Sequence, residues 1–319
     1  MPVSLYLGTV IAVIWDFDQT LIAGYQQDPI FAEYGVDPKE FWAEVGGLFE
    51  YYQKQGIVVS KDTIYLNHIL TYVKEGRFHG LTNAKLRQLG ARLQFYPGLP
   101  DFLALAKQRV EGHAEFSAQG ITVEHYIVST GLRQMILGSS IAQHVTDIWA
   151  CEFIEEPAPS GYLKQQGRLK IEEHEVSQIG ISLDNTTKTR AIWEINKGTN
   201  KNPEVGVNDL IAPEDRRVPL RNMIFAADGP TDIPVFSILN ANGGRTLGIY
   251  NPAQREHFRV VKRLSDQGRV KHFARANYEP GSDAAEWILT SIDEIAQTIV
   301  DDRKRALHEK VGPSATHVV

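Results

Sequence analysis

Six consecutive apolar residues, Val10–Trp15, open the readable pattern of the chain. A short, unbroken run rich in β-branched side chains predicts a strand covered on both faces. It runs directly into Asp16-Phe17-Asp18-Gln19-Thr20. Similar runs occur at residues 125–128, ending at Ser129-Thr130-Gly131, and at 222–227, ending at Asp228-Gly229. Further strands are predicted at 147–154, 246–250 and 270–274. From residue 23 to 94 the apolar spacing turns helical instead. Asp37-Pro38 supplies an N-cap and a proline at the first helical position, opening a helix through Phe41, Val45 and Tyr52. Ser60 is predicted to cap a second helix that Gly76 stops, and Thr82 to start a third. After the rigid turn Tyr96-Pro97-Gly98-Leu99-Pro100, helices are predicted from Asp101, over 188–196 and over 284–300. Residues 111–124 lengthen the approach to the second strand, 196–219 read as a polar loop, and the tail beyond Arg303 reads as frayed.

Short apolar strands alternating with helices predict an α/β fold, a Rossmann-like parallel sheet with helices on both faces. The helical stretch interrupts this alternation directly after the first strand. It therefore predicts two parts: residues 1–22 and 95–319 as the α/β core, and residues 23–94 as an inserted α-helical domain. Composition agrees with a globular chain. Of 319 residues, 43% are hydrophobic and 23% charged, which excludes a mainly disordered, collagen-like or coiled-coil protein. The single cysteine, Cys151, excludes an intrachain disulfide framework and a cysteine-based zinc site. A net charge of −6 argues against a nucleic-acid partner held by phosphate contacts. The first apolar run is too short to span a bilayer, and no basic leader precedes it, so a cytoplasmic protein with no membrane partner is expected.

The polar strand ends carry the candidate chemistry. In open α/β sheets, ligands bind beyond the carboxyl ends of the strands. Asp16, Asp18, Ser129, Asp228 and Asp232 would then meet in one crevice. Converging carboxylates raise one another's pKa unless a cation sits among them. Oxygen ligands without cysteine or paired histidine suit a hard divalent ion, and Mg²⁺ combines such carboxylates with substrate phosphate. Lys188, at the start of a helix, is the best-placed lysine to complete a phosphate cradle. Each feature alone has a plainer explanation: a solvated D-x-D turn, a Ser-Thr-Gly turn, a surface helix lysine, an Asp-capped β-turn. Their order and shared strand context favour the functional reading.

These four segments, in this order, resemble the motifs of the haloacid dehalogenase superfamily, and the insertion resembles the helical cap of its phosphoserine phosphatase-like branch. The resemblance implies Asp16 as nucleophile and Asp18 as general acid and base. It implies Mg²⁺ held by Asp16, the backbone carbonyl of Asp18, Asp228 and Asp232. Ser129 and Lys188 would hold phosphoryl oxygens, with Thr130, Tyr25 and Arg133 near the substrate. Asp18 followed by Thr20 favours phosphate monoester hydrolysis over dehalogenation. Tyr25 stands where serine-specific members place a glutamate, which argues against phosphoserine as substrate. Ala227 and Thr231 replace the branch's usual Gly and Asn. The cap aromatics, including Phe31, Phe41, Trp42 and Tyr65, are expected mainly to pack, with ring stacking on substrate as the alternative; Arg133 is expected in a helix-surface salt bridge or on a substrate anion. The expected activity is Mg²⁺-dependent hydrolysis of a small phosphorylated metabolite. A binding or regulatory protein without turnover, and phosphoryl transfer to an acceptor other than water, are the alternatives. Oligomeric state and pathway are not legible.

Overall fold

A computed structural model describes residues 7–165 and 173–310. In chain order it begins with β1 (Val10–Trp15), α1 (Asp28–Tyr34), α2 (Pro38–Gln53), α3 (Ile64–Lys74) and α4 (Asn83–Gly90). Next come α5 (Asp101–Glu111), α6 (Ala114–Ala118), β2 (Thr122–Leu132), α7 (Arg133–Gly138), β3 (Asp147–Ile154) and β4 (Gln178–Ile181). The last part holds α8 (Lys188–Lys197), β5 (Met223–Ala227), α9 (Ile233–Ala241), β6 (Arg245–Tyr250), α10 (Arg255–Asp266), β7 (His272–Arg275) and α11 (Asp283–Lys310). The seven strands form one sheet in the order β4-β3-β2-β1-β5-β6-β7. Every pairing is parallel except that of the edge strand β4 with β3.

β1 is central, and its alternating side chains feed two hydrophobic clusters. Ala12 and Ile14 face one, with Ile192 and Ile195 of α8 and Phe236 of α9. Ile11, Val13 and Trp15 face the other, with Phe102 and Leu103 of α5 and Ile288 and Ile292 of α11. Fully burying one such side chain contributes roughly 1.5–3 kcal/mol, so both helical layers are held by the same strand. Helices α1–α4, which occupy the inserted stretch, share the first cluster through Phe31, Phe41, Leu66 and Leu86. Asp37 caps α2 by accepting from the Lys39 N–H at 2.8 Å, and Thr82 caps α4 by accepting from Lys85 at 2.9 Å.

Several sequence expectations change here. Ser60 does not cap α3: its backbone carbonyl accepts from Ile64, residues 61–63 form a turn, and the cap position falls to Thr63. Strand β2 does not stop before Ser129 but runs to Leu132, with its pairing to β3 shifted between Val128 and Leu132. The C-terminal helix continues past Arg303 to Lys310, anchored where Arg303 donates to the Gln119 carbonyl and Lys304 pairs with Glu115. Residues 312–314 of the predicted tail lie outside the described residues. The sheet is not wholly parallel, because β4, a four-residue strand with no apolar run, adds antiparallel to the edge. Among the described residues, no helix is long and apolar enough to cross a membrane.

Candidate active site

The register of the central strands brings the acidic tips together. Trp15 is level with Ile127 of β2 and Ala226 of β5. The Asp16 N–H donates to the Ala226 carbonyl at 2.9 Å, so Asp16 leaves the sheet beside the end of β5, one residue short of Asp228. Asp232 follows on the turn Pro230–Asp232 and is fully buried. Lys188 reaches this point from the first turn of α8. Ala191, Ile192 and Ile195 on the same helix face are buried and turn it inward. The Asp184 carboxylate accepts from the Thr186 and Thr187 N–H groups and fixes the start of that helix.

Lys188 is 1% exposed, and its ammonium donates to Asp16 Oδ1 at 2.8 Å and Asp232 Oδ1 at 2.6 Å. Burial disfavours the charged lysine, but the two carboxylates outweigh that and hold its pKa above the ordinary value. Oxygens of Asp16, Asp228 and Asp232 all lie within 4.8 Å of one another. One ammonium thus faces three carboxylates. Asp228 has no hydrogen bond or ion pair among the described residues. Burial, followed by the charges of Asp16 and Asp232, pushes its carboxyl well above the usual range. Asp232 is pushed up to about 6, chiefly by burial, with Asp16 adding and Lys188 opposing. An all-oxygen cluster with excess negative charge fits a hard divalent cation such as Mg²⁺.

Asp18 lies beside this three-carboxylate cluster without being part of it. Its Oδ1 accepts from the Gln26 N–H at 2.9 Å, and burial together with Asp16 pushes its carboxyl up to about 7. Between the two aspartates and Thr20, Gln19 adopts a left-handed φ of 59°, so the chain bends sharply at the strand mouth. The Thr20 hydroxyl donates to Asp16 Oδ2 at 3.2 Å. Ser129 is buried; its hydroxyl oxygen accepts from the Gly131 N–H at 3.0 Å and faces Gln26. Thr130 lines the cleft instead, with its carbonyl accepting from Tyr65 Oη at 2.7 Å.

The cleft above the carboxylates measures about 260 Å³ and lies between the strand tips and the inserted helices. Asp16, Asp18, Lys188 and Asp228 form its floor, while Tyr25, Trp42 and Tyr65 form an aromatic wall. The other rings pack: Phe31 and Phe41 stand 4.8 Å apart in the buried cluster. Lys61 and Asp62 reach the rim from the turn before α3. Arg133 is not part of the cleft lining. It pairs with Glu152 at 3.5 Å and donates to the Ile148 carbonyl, the helix-surface role rather than the substrate one. Sequence reasoning missed Gln26, Gln27, Lys61 and Asp62, which lie in loops or a turn where no apolar period marks direction.

Among solved structures, the chain is similar to a HAD family hydrolase from Salmonella enterica serovar Typhi, at TM-score 0.47 and 12% identity, covering 83% of this chain and 67% of that one. It is also similar to a phospho-aspartyl intermediate analogue of phosphoserine phosphatase, at TM-score 0.46 and 14% identity, covering 83% and 93%. A third is a probable phosphoserine phosphatase from Vibrio cholerae, at TM-score 0.48 and 15% identity, covering 92% and 68%. No family model matches the chain. A Borreliella burgdorferi protein described as uncharacterized is 38% identical over 287 residues, spanning 89% of this chain and 96% of that protein. At that identity and coverage, the chain belongs to the same family as the Borreliella burgdorferi protein.

Proposed function

We propose that this protein is a Mg²⁺-dependent phosphohydrolase of the haloacid dehalogenase type, hydrolysing a small phosphate monoester through an aspartyl-phosphate on Asp16. The observation that carries this reading is the bridge from Lys188 to both Asp16 and Asp232, with Asp228 unpaired beside them. A buried aspartate fixed on one oxygen by an ammonium and on the other by Thr20 is oriented rather than solvated, as a nucleophile must be.

Asp16 would attack phosphorus, forming an O–P bond as the P–O bond to the alcohol breaks. A protonated Asp18 would give its proton to the departing oxygen. Its carboxyl, pushed up to about 7, is suited to holding that proton near neutrality. Asp18, now ionised, would take a proton from water as that water attacks phosphorus. The Asp16–phosphorus bond then breaks, inorganic phosphate leaves and Asp16 is a carboxylate again. Lys188 and the Thr130 segment would hold phosphoryl oxygens, because a transfer of this kind is catalysed mainly by position and charge. Asp16, Asp228 and Asp232 would hold Mg²⁺, which when bound supplies positive charge to phosphoryl oxygen and offsets the carboxylates. The aromatic wall would cover the leaving group and exclude water.

Purified protein is expected to release phosphate from 4-nitrophenyl phosphate with Mg²⁺ and to stop when EDTA is added. Asp16→Asn is expected to abolish release. Undiminished turnover by that variant, or none by the wild type on a broad phosphate-ester panel, overturns the reading.

A further inference from the structure

One fully buried side chain outside the four motif segments joins two of them. Gln26 lies in the loop between β1 and α1 and has no exposed surface. Its backbone N–H donates to Asp18 Oδ1 at 2.9 Å. Its carboxamide oxygen accepts from the Leu132 N–H, at the end of β2, at 2.7 Å. Its carboxamide nitrogen sits 3.4 Å from both Asp18 Oδ2 and Ser129 Oγ, a long contact shared between the two. These are the Asp18 carboxylate's hydrogen bonds among the described residues.

Strand β2 is shaped around this side chain. A Cβ at Gly131 would stand 1.5 Å from Gln26 Nε2, so any side chain there would displace the carboxamide. The shifted pairing between Val128 and Leu132 falls on the same residues. At its end the Leu132 N–H donates to the Gln26 carboxamide oxygen.

We infer that Gln26 is a positioning residue: anchored on β2, it aims the Asp18 carboxyl at the cleft and holds the Ser129 hydroxyl in register with it. The inference rests on the phosphatase reading for its kinetic consequence but not for its structural one. Asp18 lines the cleft at the end of a bent turn and, among the described residues, has no other partner to set its rotamer. A displacement of about 1 Å at a reacting group costs on the order of 100-fold in rate. The effect must also depend on the leaving group, because a departing oxygen that is stable as an anion needs little help from an acid.

The test compares wild type, Gln26→Met, Gln26→Asn and Gly131→Ala on phenyl phosphates of graded leaving-group acidity. Gln26→Met keeps the bulk and the backbone N–H but loses the carboxamide; Gly131→Ala keeps the carboxamide but pushes it out. Both are expected to lower kcat/KM, which reports the phosphoryl transfer to Asp16, on unsubstituted phenyl phosphate by about tenfold or more, and on 4-nitrophenyl phosphate by less than about threefold. Gln26→Asn, one methylene short, is expected to fall between. A crystal structure of Gln26→Met is expected to show the Asp18 carboxyl rotated or split. Equal losses of kcat/KM on all substrates, no loss on any, or an unmoved Asp18 in that crystal overturn the inference. If the wild type hydrolyses none of these esters the phosphatase reading fails by itself, and the Asp18 position in the crystal still decides the role of Gln26.

Discussion

Lys188→Met removes the ammonium from between three carboxylates while keeping an unbranched side chain of similar length, so little volume is lost. In the wild type the ammonium is 1% exposed and bonded at 2.8 and 2.6 Å to Asp16 and Asp232. Breaking a buried ion pair by deleting one partner costs roughly 3–5 kcal/mol, because the remaining charge is left desolvated and unpaired. Here two carboxylates lose their partner, and a third, Asp228, has none among the described residues. Proton uptake by Asp228 and Asp232, whose carboxyls are already pushed up, relieves part of this and places the expected loss near the lower end, about 3 kcal/mol. Urea unfolding followed by tryptophan fluorescence, in EDTA so that no divalent ion intervenes, measures it. A second expectation follows from the same charge count. Without the ammonium the site attracts Mg²⁺ more strongly, so added Mg²⁺ should raise the stability of the variant more than that of the wild type, by linkage to binding. A loss under about 1 kcal/mol in EDTA, or a smaller Mg²⁺ response in the variant, would refute the charge balance described here.

Two other expectations concern the scaffold behind the site. His125 is fully buried; its Nδ1 accepts from Trp15 Nε1 at 3.2 Å and its Nε2 donates to the Leu103 carbonyl at 3.0 Å. Burial, then Lys107, pushes it down to about 3 from 6.5, so the unfolded chain binds more protons between those values. Stability is therefore expected to fall as pH drops below 6.5, by about 2 kcal/mol between about pH 7 and pH 5, and His125→Gln should remove that portion of the slope in urea titrations; an unchanged slope contradicts it. Gly98 has φ +86°, and a Cβ there would lie 2.2 Å from the Tyr278 carbonyl carbon. Gly98→Ala is accordingly expected to cost roughly 2–4 kcal/mol in the same assay, and a loss within about 0.5 kcal/mol would show that the backbone yields there.

The local pattern of the chain carried a good part of this architecture. Val10–Trp15 is a strand at the residues where an unbroken apolar run places it, Asp147–Ile154 is a strand over its predicted range, Asp37 caps α2 as predicted, and α4 begins just after Thr82, where a helix start is predicted. Such features depend on a few neighbouring residues, so they are visible in one dimension. The residues α1, β4, α9 and α10 occupy were not read as elements. β4 is a strand because β3 offers it an edge, and Gln178–Ile181 contains no apolar run to announce it. Ser60 failed as a cap because its side chain had no intrinsic claim on α3 once residues 61–63 turned.

The same division holds at the site. Asp16, Asp18, Ser129, Lys188, Asp228 and Asp232 were singled out because strand ends and one helix start are local properties with a known place in open sheets. Which of them touch is a different matter. That Lys188 spans Asp16 and Asp232, that Asp18 faces Gln26, that Ser129 lies beneath the cleft and that Arg133 pairs with Glu152 all depend on distances between residues far apart in the chain. Periodicity records which way a side chain points within its own element; a contact across elements depends on strand order, register and the packing of whole faces, and no short stretch of residues contains those.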